Sequence, residues 1–142
     1  MIAAAARRYV LDTNVVVAGL LWNGAPRQLL GLALEKRLLL YSSPVLLDEL
    51  RHTLGYAKFA QRIAQGSSSV DKVCRRYAEM VTLVHPPSVP RIVPGDPDDD
   101  HVIACAVAAR ADAIVSGDKD LLVLGQFSGI AIVSVRQALD AL

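Results

Sequence analysis

Three apolar residues, Tyr9-Val10-Leu11, run into Asp12 and two small polar residues, Thr13 and Asn14, before a second apolar run begins at Val15. Three residues are too few for a helix, and Tyr and Val favour extended backbone, so the stretch reads as a short buried strand. Asp12 then stands at the carboxyl end of that strand, where open α/β sheets place ligands and chemistry. The arrangement returns late in the chain, where the strand Ala113-Ile114-Val115-Ser116 exits through Gly117 to Asp118. A chain with an acid at each of two strand exits is constrained to a sheet whose carboxyl edge gathers negative charge.

The segments between these strands follow an alternating order. Pro26 suits the first turn of a helix from about Ala25 to Arg37. Leu38–Tyr41 reads as the next strand. Ser43 is placed to cap, and Pro44 to open, a helix running to Leu54. A short helical piece precedes a longer helix from about Val70 to Glu79, and Met80–Val84 reads as a strand. The proline-rich stretch from His85 to Gly95 is a surface connection, and the acid run Asp96-Pro97-Asp98-Asp99-Asp100 opens a helix reaching about Arg110. Leu121–Leu124 is a short helix, Gln126–Gly129 a turn, and Ile130–Val133 the last strand. Ser134 caps a final helix, Val135–Leu142. Strands alternating with helices give a three-layer α/β/α domain with a mostly parallel central sheet of about five strands.

At 142 residues the chain makes one domain, residues 1–142, large enough to bury a real core. Its 53% apolar content is rich in Ala, Val and Leu, as a buried parallel sheet requires. No apolar run approaches the roughly 18 residues of a membrane span. Arg7 and Arg8 follow the small residues instead of preceding them, the wrong order for a secretory signal, and a cytoplasmic location is expected. Cys74 and Cys105 lack zinc spacing and read as small buried hydrophobes. Net charge is only +1, so any basic surface must be local.

Two more acids belong with Asp12 and Asp118. On the helix opened by Pro44, Leu46, Leu47, Leu50 and Leu54 share one side; Asp48 lies opposite in solvent, while Glu49 and Arg51 sit at the margins. On the helix opened by the acid run, Asp99 lies over Val102, Ile103, Ala106 and Val107, the expected buried side, whereas Asp100 and His101 project away. If Asp12, Glu49, Asp99 and Asp118 converge, they cannot all stay ionised without a cation. Hard divalent ions, Mg²⁺ or Mn²⁺, suit an all-oxygen set, and metal-assisted phosphodiester hydrolysis is the chemistry such a site supports best.

Four blocks in order, Leu11-Asp12-Thr13-Asn14, Ser43-Pro44-Val45-Leu46-Leu47-Asp48-Glu49-Leu50, Asp96-Pro97-Asp98-Asp99-Asp100 with Ala104-Cys105-Ala106, and Val115-Ser116-Gly117-Asp118-Lys119-Asp120-Leu121, resemble the PIN domain, and within it the VapC-like toxins of toxin–antitoxin systems. The resemblance implies a Mg²⁺- or Mn²⁺-dependent ribonuclease whose metal acids are Asp12, Glu49, Asp99 and Asp118. It also implies an RNA substrate, a small antitoxin partner and a homodimer. Thr13, Asn14 and Ser116 match polar positions that orient the acids or a metal-bound water, and Asp120 matches an accessory acid. The acid run allows a shift of one at the third position; the spacing to Ala106 and the helical wheel select Asp99, leaving Asp100 without an assigned role. The middle helices form one wall of the substrate groove in that family, which points to Arg51, Lys58, Arg75 and Arg76, with Arg62 and Lys72 beside them.

Two other functions compete with this reading. An aspartate-nucleophile phosphatase wants a second acid two residues after the first, where this chain has Asn14. A PIN-fold module that only binds nucleic acid or a partner gains nothing from clustered carboxylates near phosphates. His52, His85 and His101 read as surface residues. Trp22, Tyr9, Tyr41, Tyr56, Phe59 and Tyr77 read as core or partner contacts and not as a stacking platform.

Overall fold

A computed structural model describes residues 6–87 and 97–142, with side chains from residue 99 onward in the second span. The proline-rich connection beyond residue 87 and the side chains of Asp96 and Asp98 therefore lie outside the described residues.

The chain begins with β1 (Arg7–Leu11), α1 (Thr13–Leu21), α2 (Ala25–Leu34) and β2 (Leu38–Ser42). Three helices follow, α3 (Pro44–Leu54), α4 (Ala57–Gln65) and α5 (Val70–Met80), then β3 (Val81–Leu83) and α6 (Pro97–Ala109). The last part holds β4 (Ala113–Val115), α7 (Lys119–Leu124), β5 (Gln126–Phe127), β6 (Ile130–Val133) and α8 (Val135–Asp140). The sheet order is β3-β2-β1-β4-β6-β5, parallel throughout except for β5 against β6. The expected mostly parallel α/β fold is therefore the fold observed.

Period-two alternation along the central strands sorts the core into two layers. Tyr9 and Leu11 of β1, with Ala113 and Val115 of β4, face a cluster built from α1, α2, α5 and α8. Val10 and Ile114 face the other way, toward Val102, Ile103 and Ala106 of α6 and Leu121 of α7. Helix α3 bridges the two layers, with Leu46 in the second and Leu50 and Leu54 in the first. The hydroxyl of Tyr9, 1% exposed, donates to the Ala138 carbonyl at 3.0 Å, pinning α8 across the sheet. Cys74 and Cys105 are both free and buried, as expected; burial pushes the Cys105 thiol up to about 12.

Helix starts follow the capping residues. Ser43, Ser69 and Ser134 each accept a backbone N–H of the first turn, and Ser134 forms a reciprocal box with Gln137. Helix ends were harder to read. Helices α2, α4 and α6 each stop at a left-handed residue that is not glycine: Lys36, Ser67 and Arg110, with φ of 61°, 53° and 51°. The next N–H then reaches back to a carbonyl five residues earlier, Arg37 to Leu32, Ser68 to Ile63 and Ala111 to Ala106. Without a glycine to mark that turn, the expected end of α2 at Arg37 overshot to the far side of Lys36.

One strand was read as a turn. Gln126–Phe127 pairs with β6 around Ser128 and Gly129, both at positive φ, in a two-residue hairpin. Two residues are too few for an alternation signal. Close packing of α1 on α2 depends on Gly19, where a Cβ would lie 2.9 Å from Leu30 Cδ1 and 3.0 Å from the Pro26 carbonyl oxygen.

Candidate active site

The carboxyl edges of β1 and β4 lie side by side, Leu11 opposite Val115, so the residues that leave them meet. Asp12 donates its backbone N–H to the Val115 carbonyl at 2.9 Å, which holds the first acid against the neighbouring strand. Its Oδ1 accepts the Thr13 N–H at 2.8 Å, so Asp12 also caps α1. Its Oδ2 accepts the Ser116 hydroxyl at 2.8 Å. Ser116 is fully buried, and its oxygen in turn accepts the Asp118 N–H at 2.9 Å. Asp118 caps α7 by accepting the Asp120 N–H at 2.8 Å. One buried serine thus joins the two strand-exit acids, and both acids are fixed by the helices they start.

Helix α6 brings the third acid. Single carboxylate oxygens of Asp12, Asp99 and Asp118 all lie within 4.8 Å of one another. Asp12 and Asp99 are buried, and Asp118 is half-buried. Carboxylates this close repel unless they share a proton or a cation. The trio contains no nitrogen or sulfur, which suits a hard divalent ion.

The other expected residues fall as follows. Glu49 is half-buried at the edge of α3, with Asp48 exposed as the helical wheel indicated, but Glu49 stays outside the trio. Thr13 is buried, while Asn14 and Asp120 are exposed.

The expectation that Asp100 meets solvent is overturned: Asp99 is 3% and Asp100 5% exposed. Val107, expected on the buried side, is 46% exposed. The wheel argument fails because α6 is covered on more than one side between Asp99 and Ala106. The helix packs on β1, β2 and β4 and also against α3, and every residue from Val102 to Ala106 is buried.

The basic residues divide. Arg51 forms an ion pair with Asp71, tying α3 to α5. Arg75 lines a cavity between those two helices, together with Arg51 and Asp71. Arg76, one position on, lines a different cavity with Arg27 and Arg62. Neighbours on a helix diverge by about 100°, so the pair expected to line one wall points into two. Lys58 places its ammonium 5.1 Å from the Phe59 ring. Trp22, expected in the core or against a partner, is 41% exposed. Arg27 was not singled out by sequence: its role depends on Gly19, Leu20 and Asn23, whose oxygens accept its guanidinium. No local pattern announces such a role.

A family model for the PIN domain matches residues 8–120. The uncharacterized protein MJ1680 of Methanocaldococcus jannaschii is 28% identical over 118 residues, spanning 82% of this chain and 74% of that protein. Among solved structures, the crystal structure of VapBC2 from Rickettsia felis bound to a DNA fragment from their promoter superposes with a TM-score of 0.57. That match covers 89% of this chain and 98% of the other at 16% identity, a likeness of fold. The match to the family model takes in the strand-exit acids Asp12 and Asp118 as well as Asp99, and the chain belongs to the PIN domain family.

Proposed function

We propose that this protein is a Mg²⁺- or Mn²⁺-dependent endoribonuclease, the toxin of a type II toxin–antitoxin pair that works in the cytoplasm as a homodimer. The observation that carries the reading is the meeting of Asp12, Asp99 and Asp118 oxygens within 4.8 Å. An all-carboxylate set fits a hard divalent ion, with Asp12, Asp99 and Asp118 as its ligands and Glu49 at the rim of the site. A divalent ion held there supplies an activated water and charge stabilisation at the leaving oxygen.

The chain's own groups do the rest. Ser116 holds the Asp12 carboxylate in one orientation through Oδ2, and the Thr13 N–H holds it through Oδ1. The Asp120 N–H does the same for Asp118. Fixed acids need no reorganisation when a phosphodiester enters, which is how preorganised sites lower barriers. Lys58, Arg75 and Arg76 neutralise backbone phosphates, with Arg51 shared between that task and its pairing with Asp71. The fold likeness to a VapBC2 complex supports a small antitoxin as partner.

The test is cleavage of end-labelled RNA in Mg²⁺, in Mn²⁺ and in chelator, by the wild-type chain and by Asp12→Asn. Asn preserves shape and one of the two acceptor oxygens but removes the charge that holds the ion. Cleavage is expected only with metal and only in wild type. Wild-type rates in the Asn variant overturn the assignment.

A further inference from the structure

At the end of α1 away from Asp12, three arginines line a cavity of about 260 Å³ between α1, α2, α4 and α5. Arg62 donates through Nε to the Leu21 carbonyl at 2.6 Å. Arg27 donates to the Gly19 carbonyl at 3.1 Å and to the Leu20 carbonyl at 2.9 Å. These bonds cap the last turn of α1 and lock two guanidinium planes in place. Helix capping accounts for Arg27 and for one edge of Arg62.

Capping does not account for the rest. Arg76 enters the same cavity and bonds to no carbonyl among the described residues. None of the three arginines pairs with a carboxylate among the described residues. Ser68, also in the lining, buries a hydroxyl oxygen that has no hydrogen-bond partner. That oxygen is sealed from solvent, so a ligand in the cavity meets the arginines and not the Ser68 hydroxyl. Beside the cavity, Trp22 is 41% exposed, with Arg62 Cζ 5.8 Å from its ring and Phe59 edge-on at 5.9 Å. A partly exposed tryptophan beside guanidiniums that pair with no carboxylate among the described residues is the composition of a single-strand nucleic-acid platform.

We propose that this region is a nucleotide subsite for single-stranded RNA: Arg62 and Arg76 take a backbone phosphate, and Trp22 takes the adjoining base by stacking. The proposal rests on the ribonuclease reading and adds where the strand goes. Helix α1 spans nine residues, so the platform lies about 14 Å along its axis from Asp12, within reach of a few nucleotides. A duplex does not expose a base face to Trp22, so the subsite selects unpaired RNA.

Trp22 is the chain's single tryptophan, so its fluorescence reports on this spot alone. The full chain, chelated so that no cleavage competes, is titrated with end-labelled oligouridylate of about a dozen nucleotides. Binding is followed by anisotropy of the label and by tryptophan emission. The expected result is parallel quenching and binding, with Arg76→Gln weakening affinity about tenfold and lowering the salt slope by about 1. Arg62→Gln has the same expected effect; should it unfold, Arg76→Gln decides, because that side chain caps no helix. Trp22→Phe retains most of the affinity and Trp22→Ala does not. Binding without quenching, or an unchanged affinity and salt slope in Arg76→Gln, overturns the subsite and leaves the ribonuclease reading standing. Quenching by an oligoglutamate peptide but not by RNA also overturns it. Absence of both RNA binding and metal-dependent cleavage overturns the two readings together.

Discussion

Replacing Ser116 by Ala removes one hydroxyl and separates the arrangement of the acids from their mere presence. The Ser116 oxygen is fully buried, donates to Asp12 Oδ2 at 2.8 Å and accepts from the Asp118 N–H at 2.9 Å. A hydrogen bond to a carboxylate is worth about 1.5–3 kcal/mol, so the metal-free protein should lose stability in that range. Groups that orient metal ligands contribute about 10–100-fold in metal affinity or activity. As free energy, that is about 1.4–2.7 kcal/mol.

The assay is an initial-rate Mg²⁺ titration of RNA cleavage, with the melting temperature measured across the same concentrations. The Mg²⁺ midpoint is expected to move 10–100-fold upward, with the saturated rate recovering to within a few-fold. Ser69→Ala serves as the control: it removes the α5 cap, costs about 1 kcal/mol and leaves the midpoint in place. An unmoved midpoint in Ser116→Ala, with wild-type saturated rate, refutes the idea that this serine positions the acids.

Four other outcomes follow. Asp99→Asn should lower cleavage by orders of magnitude and blunt the thermal response to metal, whereas Asp100→Asn, outside the trio though buried, should leave the metal midpoint unchanged; matched titrations of both variants decide. Asp118→Asn keeps a competent cap for α7 and should raise metal-free stability while weakening the shift produced by Mn²⁺ in thermal melts. Cys105 has its folded value, about 12, raised above the unfolded 9.0 by burial. Its contribution is therefore full below pH 9 and lost as pH climbs toward 12, and alkaline unfolding curves should show that decline reduced in Cys105→Ala. Lys36→Gly relieves a left-handed residue and should raise stability by about 1 kcal/mol in urea titrations, whereas Gly19→Ala, blocked by Leu30 and Pro26, should lower it by about 1–3 kcal/mol.

The strand-exit acids were legible because two independent signals coincide at each: an apolar run too short for a helix, and a charge where that run ends. The caps at Ser43 and Ser134 were legible for the same reason, being local chemistry between residues three apart. What escaped was set by packing. Asp100 looked solvated because a wheel assumes one buried face, and α6 is covered both by the sheet and by α3. Arg75 and Arg76 looked equivalent because adjacency in sequence hides the helix α5 that separates their cavities. Glu49 was placed correctly at a half-buried margin, yet a margin does not specify a distance, and the trio forms without it.

The pairing of Leu11 with Val115 also has a consequence in time. Asp12 is made roughly a hundred residues before the strand that holds it and the serine that orients it. At about 5–20 residues per second, a nascent chain spends several seconds before the Val115 carbonyl and the Ser116 hydroxyl can reach its first acid. Non-local pairing of this kind cannot form piecemeal. A chain stopped before Ala113 therefore holds only β1, β2 and β3, with β1 left as an open edge and no Asp118. The three acids can therefore meet only after β4 and Asp118 have both been made.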